Sequence, residues 1–286
     1  MKKRVGALSW LYLICFMLLL YAPIMVLIIF SFNATNSTSV FGGFSLYWYR
    51  ELFRDAATIT AFKNTVILAV VSSIVSTVLG TVSAVGYHYS RTRWYKRALM
   101  TTTNIPMMNP DIVTGISMML LFVFVGTLLH VTGVLGFTTM LIAHITFQLP
   151  YVILNVLPRL SAMDPHLTEA AMDLGCTPVG AFFKITLPEI RSGVLAGLIM
   201  AFTLSLDDFV ISYFVSGPTF QTLPIRIYSM TKKRVTPDMY ALSAIIFVVM
   251  LILLLVINVM EDREIGDYRE RRREARRARE QEVAVE

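Results

Sequence analysis

Residues 164–188 read DPHLTEAAMDLGCTPVGAFFKITLP and lie between two very hydrophobic blocks of the chain. Asp164 followed by Pro165 is a favourable N-cap and first-turn pair for a helix. Apolar residues then recur at helical spacing until Gly175, which is suited to end that helix in a left-handed conformation. The first half of the segment therefore predicts a short amphipathic helix.

The second half of the segment repeats the start signal. Thr177 and Pro178 again form a cap and first-turn pair, and we expect Leu187 and Pro188 to end this second helix. Two short helices that meet at a glycine are typical of a docking element, although an amphipathic loop lying on a membrane surface has the same helix signals.

Composition indicates a membrane protein. Hydrophobic residues make up 56% of the 286 positions, charged residues only 15%, and the mean hydropathy is +0.65. Several apolar blocks reach the length of about 20 residues that a helix needs to span a bilayer. The sequence thus predicts an all-α, polytopic membrane protein with six transmembrane helices, at about residues 8–30, 65–87, 98–129, 134–157, 193–215 and 239–260.

The distribution of lysine and arginine predicts the orientation. Eighteen lie in the N-terminus, the segments after spans two and four, and the C-terminal tail, whereas seven lie in the segments on the other side. The positive-inside rule then places both termini and residues 164–188 in the cytoplasm of a multi-pass plasma-membrane protein. We expect a transmembrane domain over residues 1–260 and a charged cytoplasmic tail over 261–286, whose mixed charges favour a solvated helix over nucleic-acid or lipid binding.

Enzyme motifs are missing from the sequence. No glycine is followed by lysine, so the phosphate-binding G-x-x-x-x-G-K-[ST] loop of an ATPase does not occur. H-E-x-x-H, C-x-x-C and G-x-S-x-G patterns do not occur either. We therefore predict no catalytic residues and no metal site, and any ATP and Mg²⁺ would bind to a separate chain.

Acidic residues within apolar blocks are the strongest functional signal. Asp207 and Asp208 lie about 15 residues into the fifth predicted span, where a carboxylate costs about 2.5 to 3.5 kcal/mol on insertion scales. They should face a cavity, and one of the two could instead bond a neighbouring helix, since adjacent helix positions point about 100° apart. The alternative is a packing role, in which the acids are hydrogen-bonded to nearby serines and threonines.

Asp111 follows Asn109 and Pro110, which we expect to cap and restart a helix inside an apolar block too long for one straight span. If residues 98–108 enter the bilayer, Asp111 lies well inside it. If they lie along the surface, Asp111 is a first-turn acid near the cytoplasm, and both readings stay open.

Basic residues are missing from the interiors of the predicted spans, and carboxylates without basic neighbours suit passage of a cation. His144 and Gln148 share one face of the fourth predicted span. Such residues are more often packing groups than ligands, but a proton relay is the second possibility. A proton-coupled secondary transporter is therefore an alternative to an ATP-driven one, although no internal inverted repeat is visible. A membrane-anchored interaction protein would leave the acids within the spans unexplained.

Residues 164–188 resemble the EAA loop of ABC-importer permeases. The resemblance implies a type I importer permease fold and assigns coupling to an ATPase, as the helix that inserts into a cleft of that subunit, to Glu169, Ala170, Ala171, Gly175, Leu187 and Pro188.

The chain from about residue 10 to 260 is further similar to permeases of spermidine/putrescine importers, most of all to the second permease subunit. The motifs that carry this similarity are Ser31–Asn33, Trp48–Tyr49, Pro110–Val113, His144–Phe147, Phe202–Asp208, Ser216–Pro218 and Leu223–Met230. It implies an importer in the bacterial inner membrane, built from this chain, a homologous permease, two ATPase subunits and an extracellular polyamine-binding protein.

This resemblance also implies pathway residues for the polyamine, which are Trp48, Asp111, Asp207 and Asp208. An interfacial aromatic belt is the ordinary interpretation of the aromatic cluster that contains Trp48. Asn109 and Cys176 depart from the residues expected at their positions, but neither departure removes a carboxylate or changes the spacing of the EAA segment.

Overall fold

The computed structural model describes residues 7–37, 40–164, 166–232, 237–256 and 259. Almost all of this described part is helical, apart from short connections and an isolated antiparallel bridge between Asn33 and Phe44. The helices are α1 (Ala7–Ser31), α2 (Tyr47–Leu52), α3 (Ala56–Tyr89), α4 (Arg93–Met108), α5 (Asp111–Leu128), α6 (Phe137–Ala162), α7 (His166–Asp173), α8 (Pro178–Ala181), α9 (Leu187–Asp207), α10 (Val210–Val215), α11 (Leu223–Thr231) and α12 (Pro237–Val256).

Six helical runs within the described residues are long and apolar enough to cross a membrane, which confirms the predicted all-α polytopic class. Their bounds differ from the predicted ones, and the second and fifth runs begin with helical turns that precede the apolar blocks. The runs are Trp10–Ser31, Ala56–Tyr89, Asp111–Leu128, Phe137–Ala162, Pro178–Asp207 and Pro237–Val256.

The predicted third span, 98–129, is two helices. The amphipathic helix α4 ends at Met108, and the apolar helix α5 begins at Asp111. Asn109 is the C-cap of α4 and Pro110 the N-cap of α5, so the expected helix restart is present but the asparagine does not provide its N-cap.

The expected end of the second short helix at Leu187 and Pro188 is wrong. A π-helical turn over Phe182–Thr186 joins α8 to α9, and the Leu187 N–H donates to the Phe182 carbonyl five residues earlier. Pro188 lies in the first turn of α9, where its missing N–H leaves no intrahelical bond unmade. The backbone is therefore helical from Pro178 to Asp207.

The predicted fifth span, 193–215, is also wrong as one continuous helix. Helix α9 ends at Asp207, Asp208 has the extended conformation (φ −63°, ψ 118°), and α10 begins at Val210. The two acids thus lie at a break in the helix.

Some basic residues lie inside the helices but outside the predicted spans, because the helices extend beyond the apolar blocks. Lys63 lies in the first turns of α3, Arg159 in the last turn of α6, and Arg191 near the start of α9. Lys184 lies in the π-helical turn. All four are far along the chain from the break after Asp207.

The chain forms two compact units. The first contains the described residues within 1–62 and 223–250, and its apolar core includes Leu52, Ala61, Leu223 and Leu242. Asp55 caps α3 in this unit, where it accepts hydrogen bonds from the Ala57 and Thr58 backbone amides.

The second unit contains residues 63–222 and the described residues after 250. Its most extensive packing is between α6 and α9, where Gly193 and Gly197 leave room for the close approach predicted from their spacing. A Cβ at Gly193 would lie 2.8 Å from the Asn155 carbonyl oxygen, and one at Gly197 3.4 Å from the Val152 Cα. Two apolar clusters form this core, one around Val156 and Leu160 and one around Met140 and Ile211.

Several predictions lie outside the described residues. They concern the basic N-terminal residues, Pro165, Lys233, Arg234 and the tail 261–286. The division into a domain over 1–260 and a tail stays a prediction.

Candidate functional site

The break after α9 is built around Asp208. Its carboxylate accepts hydrogen bonds from the backbone N–H groups of Ile211 (3.2 Å) and Ser212 (2.8 Å), which are free because α10 has only just begun. The side chain is only 8% exposed. The Asp208 carboxylate thereby caps the start of α10.

His144 of α6 joins both sides of this break. The imidazole is fully buried, with Nδ1 2.7 Å from Ser205 Oγ of α9 and Nε2 3.0 Å from Ser212 Oγ of α10. Nε2 also lies 3.4 Å from Oδ2 of Asp208. Both ring nitrogens therefore have partners, one on each side of the interruption.

Gln148, one turn further along α6, extends the buried polar cluster to α3. Its amide nitrogen donates to Ser72 Oγ (3.1 Å) and its carbonyl oxygen accepts from Ser76 Oγ (2.9 Å). Ser72 Oγ in turn donates to Ser205 Oγ at 3.3 Å. The packing interpretation of His144 and Gln148 fits these contacts, since each polar atom has a partner in a dry interior.

Asp207 differs from its neighbour in being exposed. It interacts electrostatically with Asp208 and with Asp111, so the structure brings together the three acids that the sequence singled out. Their approach follows from the packing of α5 on α10. Gly115 lies one turn after Asp111, and a Cβ there would be only 3.3 Å from the Ile211 Cα.

Two helix ends meet near these acids. The carbonyl end of α9 carries a partial negative charge beside Asp207, and the amide end of α5 carries a partial positive charge at Asp111. Asp111 is itself exposed. The arrangement presents two exposed carboxylates beside the negative end of a helix, which are features that attract a cation.

Trp48 lies in the other compact unit, on α2. Its indole Nε1–H donates to the Asn33 backbone carbonyl at 2.8 Å, and the ring is half-buried. Nearby, Tyr49 Oη lies 2.7 Å from Ser31 Oγ, and its ring packs on Phe32. The structure thus joins two of the sequence motifs within the first unit.

Residues 164–188 fold as predicted over their first half. Asp164 accepts a hydrogen bond from the His166 N–H at 2.9 Å, and Gly175 has a φ of +86° after α7 ends. Thr177 caps α8 by accepting from the Gly180 N–H at 3.1 Å. Local capping chemistry therefore determines this part of the chain.

The predicted coupling residues are distributed over the surface and interior of this segment. Glu169, Ala170, Gly175 and Pro188 are exposed, Leu187 is half-buried and Ala171 is buried. Large apolar side chains are exposed beside them, including Leu174 at 88%, Val179 at 67% and Phe183 at 61%. An exposed apolar surface of this kind is typical of a protein contact.

Sequence reasoning missed Ser72, Ser76 and Asn33. Ser72 and Ser76 are one helical turn apart in an apolar block, a spacing that could have indicated a polar stripe facing Gln148. Asn33 was noticed only within a motif, and no local signal reveals that its buried amide donates to the Ser37 and Val40 carbonyls.

Comparison with known proteins agrees with this architecture. Residues 76–263 match the family model described as "Binding-protein-dependent transport system inner membrane component". The chain is 41% identical over 229 residues to the putrescine transport system permease protein PotI of Escherichia coli K12, which covers 79% of this chain and 81% of that protein. It is 40% identical over 230 residues to the spermidine/putrescine transport system permease protein PotC of Haemophilus influenzae, covering 80% and 87% of the two chains.

Solved structures show the same fold at lower identity. A bacterial ABC transporter involved in import of the acidic polysaccharide alginate aligns with a TM-score of 0.68 and 19% identity, over 90% of this chain and 94% of that one. An amino acid ABC transporter aligns with a TM-score of 0.54 and 20% identity, over 76% and 96%. At these identities the likeness concerns the fold alone.

The resemblance drawn from the sequence motifs is confirmed by the family match and by two relatives at about 40% identity. The chain belongs to the family of binding-protein-dependent transport system inner membrane components, and within it this protein is a membrane permease subunit, not an enzyme.

Proposed function

We propose that this chain is one permease subunit of an ATP-driven polyamine importer and that Asp207 and Asp111 line the path of the cationic solute. The observation that carries the proposal is the cluster of acids at the break after α9, in a chain whose relatives are named as putrescine and spermidine/putrescine permeases. A linear polyamine carries several ammonium groups, so a path lined by separate carboxylates suits it better than a single deep binding pocket would.

The position of Asp111 supports the interpretation that residues 98–108 enter the membrane. Asp111 interacts with Asp207, and Asp207 is separated from Leu187 by the full length of α9. That helix has 21 residues and is therefore about 30 Å long at 1.5 Å per residue. Asp111 is thus far from the EAA segment along the α9 axis, as a pathway acid within the membrane would be.

The energetics favour a transient contact. An ammonium group 4 Å from a carboxylate gains about 1 kcal/mol in water and about 4 kcal/mol at an effective dielectric constant near 20. Partial negative charge at the carbonyl end of α9 adds to this attraction. Such values allow passage without trapping the solute, and tight binding would belong to the extracellular binding protein.

Trp48 is a second element of the proposed path. Because its indole N–H is held by Asn33, the ring has a fixed orientation and offers an aromatic face to an ammonium group. This contact is independent of the acids and would act where the solute arrives from outside.

The partners in this proposal are a homologous permease, two ATPase subunits that bind ATP and Mg²⁺, and an extracellular polyamine-binding protein. Glu169, Ala170, Gly175 and the exposed apolar side chains around Leu174 would contact an ATPase subunit. In this arrangement both termini and residues 164–188 are cytoplasmic, as the excess of basic residues on that side supports.

The test is ATP hydrolysis and uptake by the assembled complex in liposomes, with the binding protein loaded with putrescine or spermidine, and with a neutral sugar and an amino acid as comparison solutes. We expect stimulation by polyamines alone. In Asp207→Asn the concentration for half-maximal uptake should rise about tenfold, the effect of losing about 1.4 kcal/mol of attraction. Glu51→Gln, which removes an exposed carboxylate of α2, is the matched control and should behave like the parent.

Two outcomes would contradict the proposal. Stimulation by the sugar or the amino acid, with no response to polyamines, would reject the solute class. Equal half-maximal concentrations in Asp207→Asn and the parent would reject the role of Asp207 while leaving the solute class intact.

A further inference from the structure

One buried side chain from another helix contacts both sides of the break between α9 and α10. His144 belongs to α6, yet its two ring nitrogens contact Ser205 before the break and Ser212 after it. We infer that His144 is a positioning residue for Asp207: it fixes the interrupted conformation in which Asp208 turns inward and the Asp207 carboxylate stays exposed. The consequence for uptake rests on the proposed function, because it assumes that Asp207 meets the solute.

The break needs an anchor because helix interruption is costly inside a packed, apolar surrounding. Interrupting the helix leaves backbone N–H and C=O groups without intrahelical partners. Asp208 satisfies two of the N–H groups, but its carboxylate must then be buried, at 8% exposure. His144 lies 3.4 Å from that carboxylate and is the ring that faces it.

The anchor is itself rigid. The imidazole is fully buried, and Ser205 also accepts a hydrogen bond from Ser72 of α3. His144 therefore connects both sides of the break to α6, and α6 also packs against α9. The two adjacent acids therefore differ in role. Asp208 is hydrogen-bonded to the start of α10 and faces His144, whereas Asp207 is exposed.

Because the two ring nitrogens of His144 have different partners, substitutions can test whether His144 acts through its hydrogen bonds or only by filling space. The amide of asparagine can occupy the position of Nδ1 and keep the contact with Ser205, whereas the amide of glutamine can occupy the position of Nε2 and keep the contacts with Ser212 and Asp208. If His144 acts by holding the far side of the break, His144→Gln should preserve function and His144→Asn should not. A residue that only fills space would show no such preference for one nitrogen position.

The first measurement is polyamine uptake by the assembled complex over a range of solute concentrations. We expect His144→Gln to stay within about threefold of the parent. His144→Asn should raise the half-maximal concentration about tenfold, in line with the loss of the buried hydrogen bond to Ser212 and of the contact with the Asp208 carboxylate. Gln148→Met, an apolar side chain of similar length on the same helix, is the matched control. It should lower the amount of folded complex or the maximal rate while leaving the half-maximal concentration unchanged.

The second measurement does not depend on the identity of the solute. Asp207→Cys is introduced into a chain in which Cys15 and Cys176 are replaced by alanine, and the rate of modification by a small cationic thiol reagent is measured in membrane vesicles. Because position 207 is exposed only as long as the break persists, adding His144→Asn should slow modification about fivefold or more, whereas adding His144→Gln or Gln148→Met should not.

Equal modification rates in the asparagine and glutamine variants would overturn the inference, whatever the solute proves to be. A loss of uptake that is the same in all three variants would also overturn it, because it would indicate a packing role. If the rates differ as expected but polyamines are not transported, the positioning role stands and the proposed solute is wrong.

Discussion

The indole nitrogen of Trp48 donates a hydrogen bond to the backbone carbonyl of Asn33 at 2.8 Å, across 15 residues of chain. The Asn33 side chain, fully buried, holds the connection between them, with Nδ2 donating to the carbonyls of Ser37 and Val40 and Oδ1 accepting from the Gly42 N–H. One asparagine thus organises the loop that presents the tryptophan.

Replacing Asn33 should loosen this loop. Asn33→Ala removes the hydrogen bonds of this side chain to the Ser37 and Val40 carbonyls and to the Thr35 and Gly42 N–H groups. The expected loss is about 1–3 kcal/mol of stability for the first compact unit. The measurement is thermal unfolding of the purified complex. Asn36→Ala, at an exposed position in the same loop, is the control and should unfold like the parent. Equal unfolding temperatures for the two variants would contradict the role of Asn33.

Asp55 should make the stability of the first unit dependent on acid pH. The Thr58 hydroxyl, the Ala57 amide and the Arg226 guanidinium at 3.0 Å hold the pKa of this carboxyl below its ordinary value, the Thr58 hydrogen bond having the largest effect. A carboxyl with a lowered pKa in the folded state stabilises it above the unfolded pKa of about 3.9, and the contribution is lost as the pH falls through the folded pKa.

The corresponding variant is Asp55→Asn. Its unfolding temperature should lie below that of the parent at pH 5 to 7, and the difference should shrink below about pH 4, where the parent carboxyl becomes protonated. Because the carboxylate is partly exposed, solvent screening keeps the effect modest. A difference that grows on acidification would contradict a lowered pKa of Asp55 in the folded state.

Gly193 and Gly197 should differ in their tolerance of a methyl group. A Cβ at Gly193 would lie 2.8 Å from the Asn155 carbonyl oxygen, which cannot move without shifting α6, whereas the nearest atom at Gly197 is Val152 Cγ1 at 3.3 Å. We expect Gly193→Ala to cost about 1–3 kcal/mol by overpacking, and Gly197→Ala to cost less. Thermal unfolding in detergent compares the two, and a larger loss at Gly197 would contradict the packing described for α6 and α9.

Position 175 should require glycine, because its backbone has a positive φ. With a φ of +86°, an alanine there costs about 1–2 kcal/mol of backbone strain. If the segment contacts an ATPase subunit, Gly175→Ala should lower uptake per ATP hydrolysed in the assembled complex. Cys176→Ala changes the next residue without this demand on φ and should leave that ratio unaltered. A normal ratio in both variants would reject a role for the bend at Gly175.

The parts of the fold that the sequence predicts are those fixed by local chemistry. Asp164, Gly175 and Thr177 each act through backbone groups within three or four residues, so capping rules are sufficient to place them. The membrane-spanning character of the helices follows in the same way from the length of the apolar blocks.

The break at Asp208 could not be predicted because its causes are distant in sequence. Residues before it have a regular helical pattern, and what makes interruption favourable is His144 on another helix, together with Ser205 and Ser212 on either side. Pro188 misled for the opposite reason. A proline that follows helical residues usually ends or kinks the helix. Here a π-helical turn precedes Pro188, so that Pro188 lies in the first turn of α9, where proline is tolerated.

The helical backbone from Pro178 to Asp207 contains 30 residues and is about 45 Å long at 1.5 Å per residue. An element of this kind resists compression, so a push on its Pro178 end arrives at the other end as displacement of the whole rod. Asp208 is the first residue with extended backbone that such a displacement meets. If an ATPase subunit pushes on this segment, as we propose, the work that enters at Pro178 reaches the acid cluster through helical backbone, without an intervening loop.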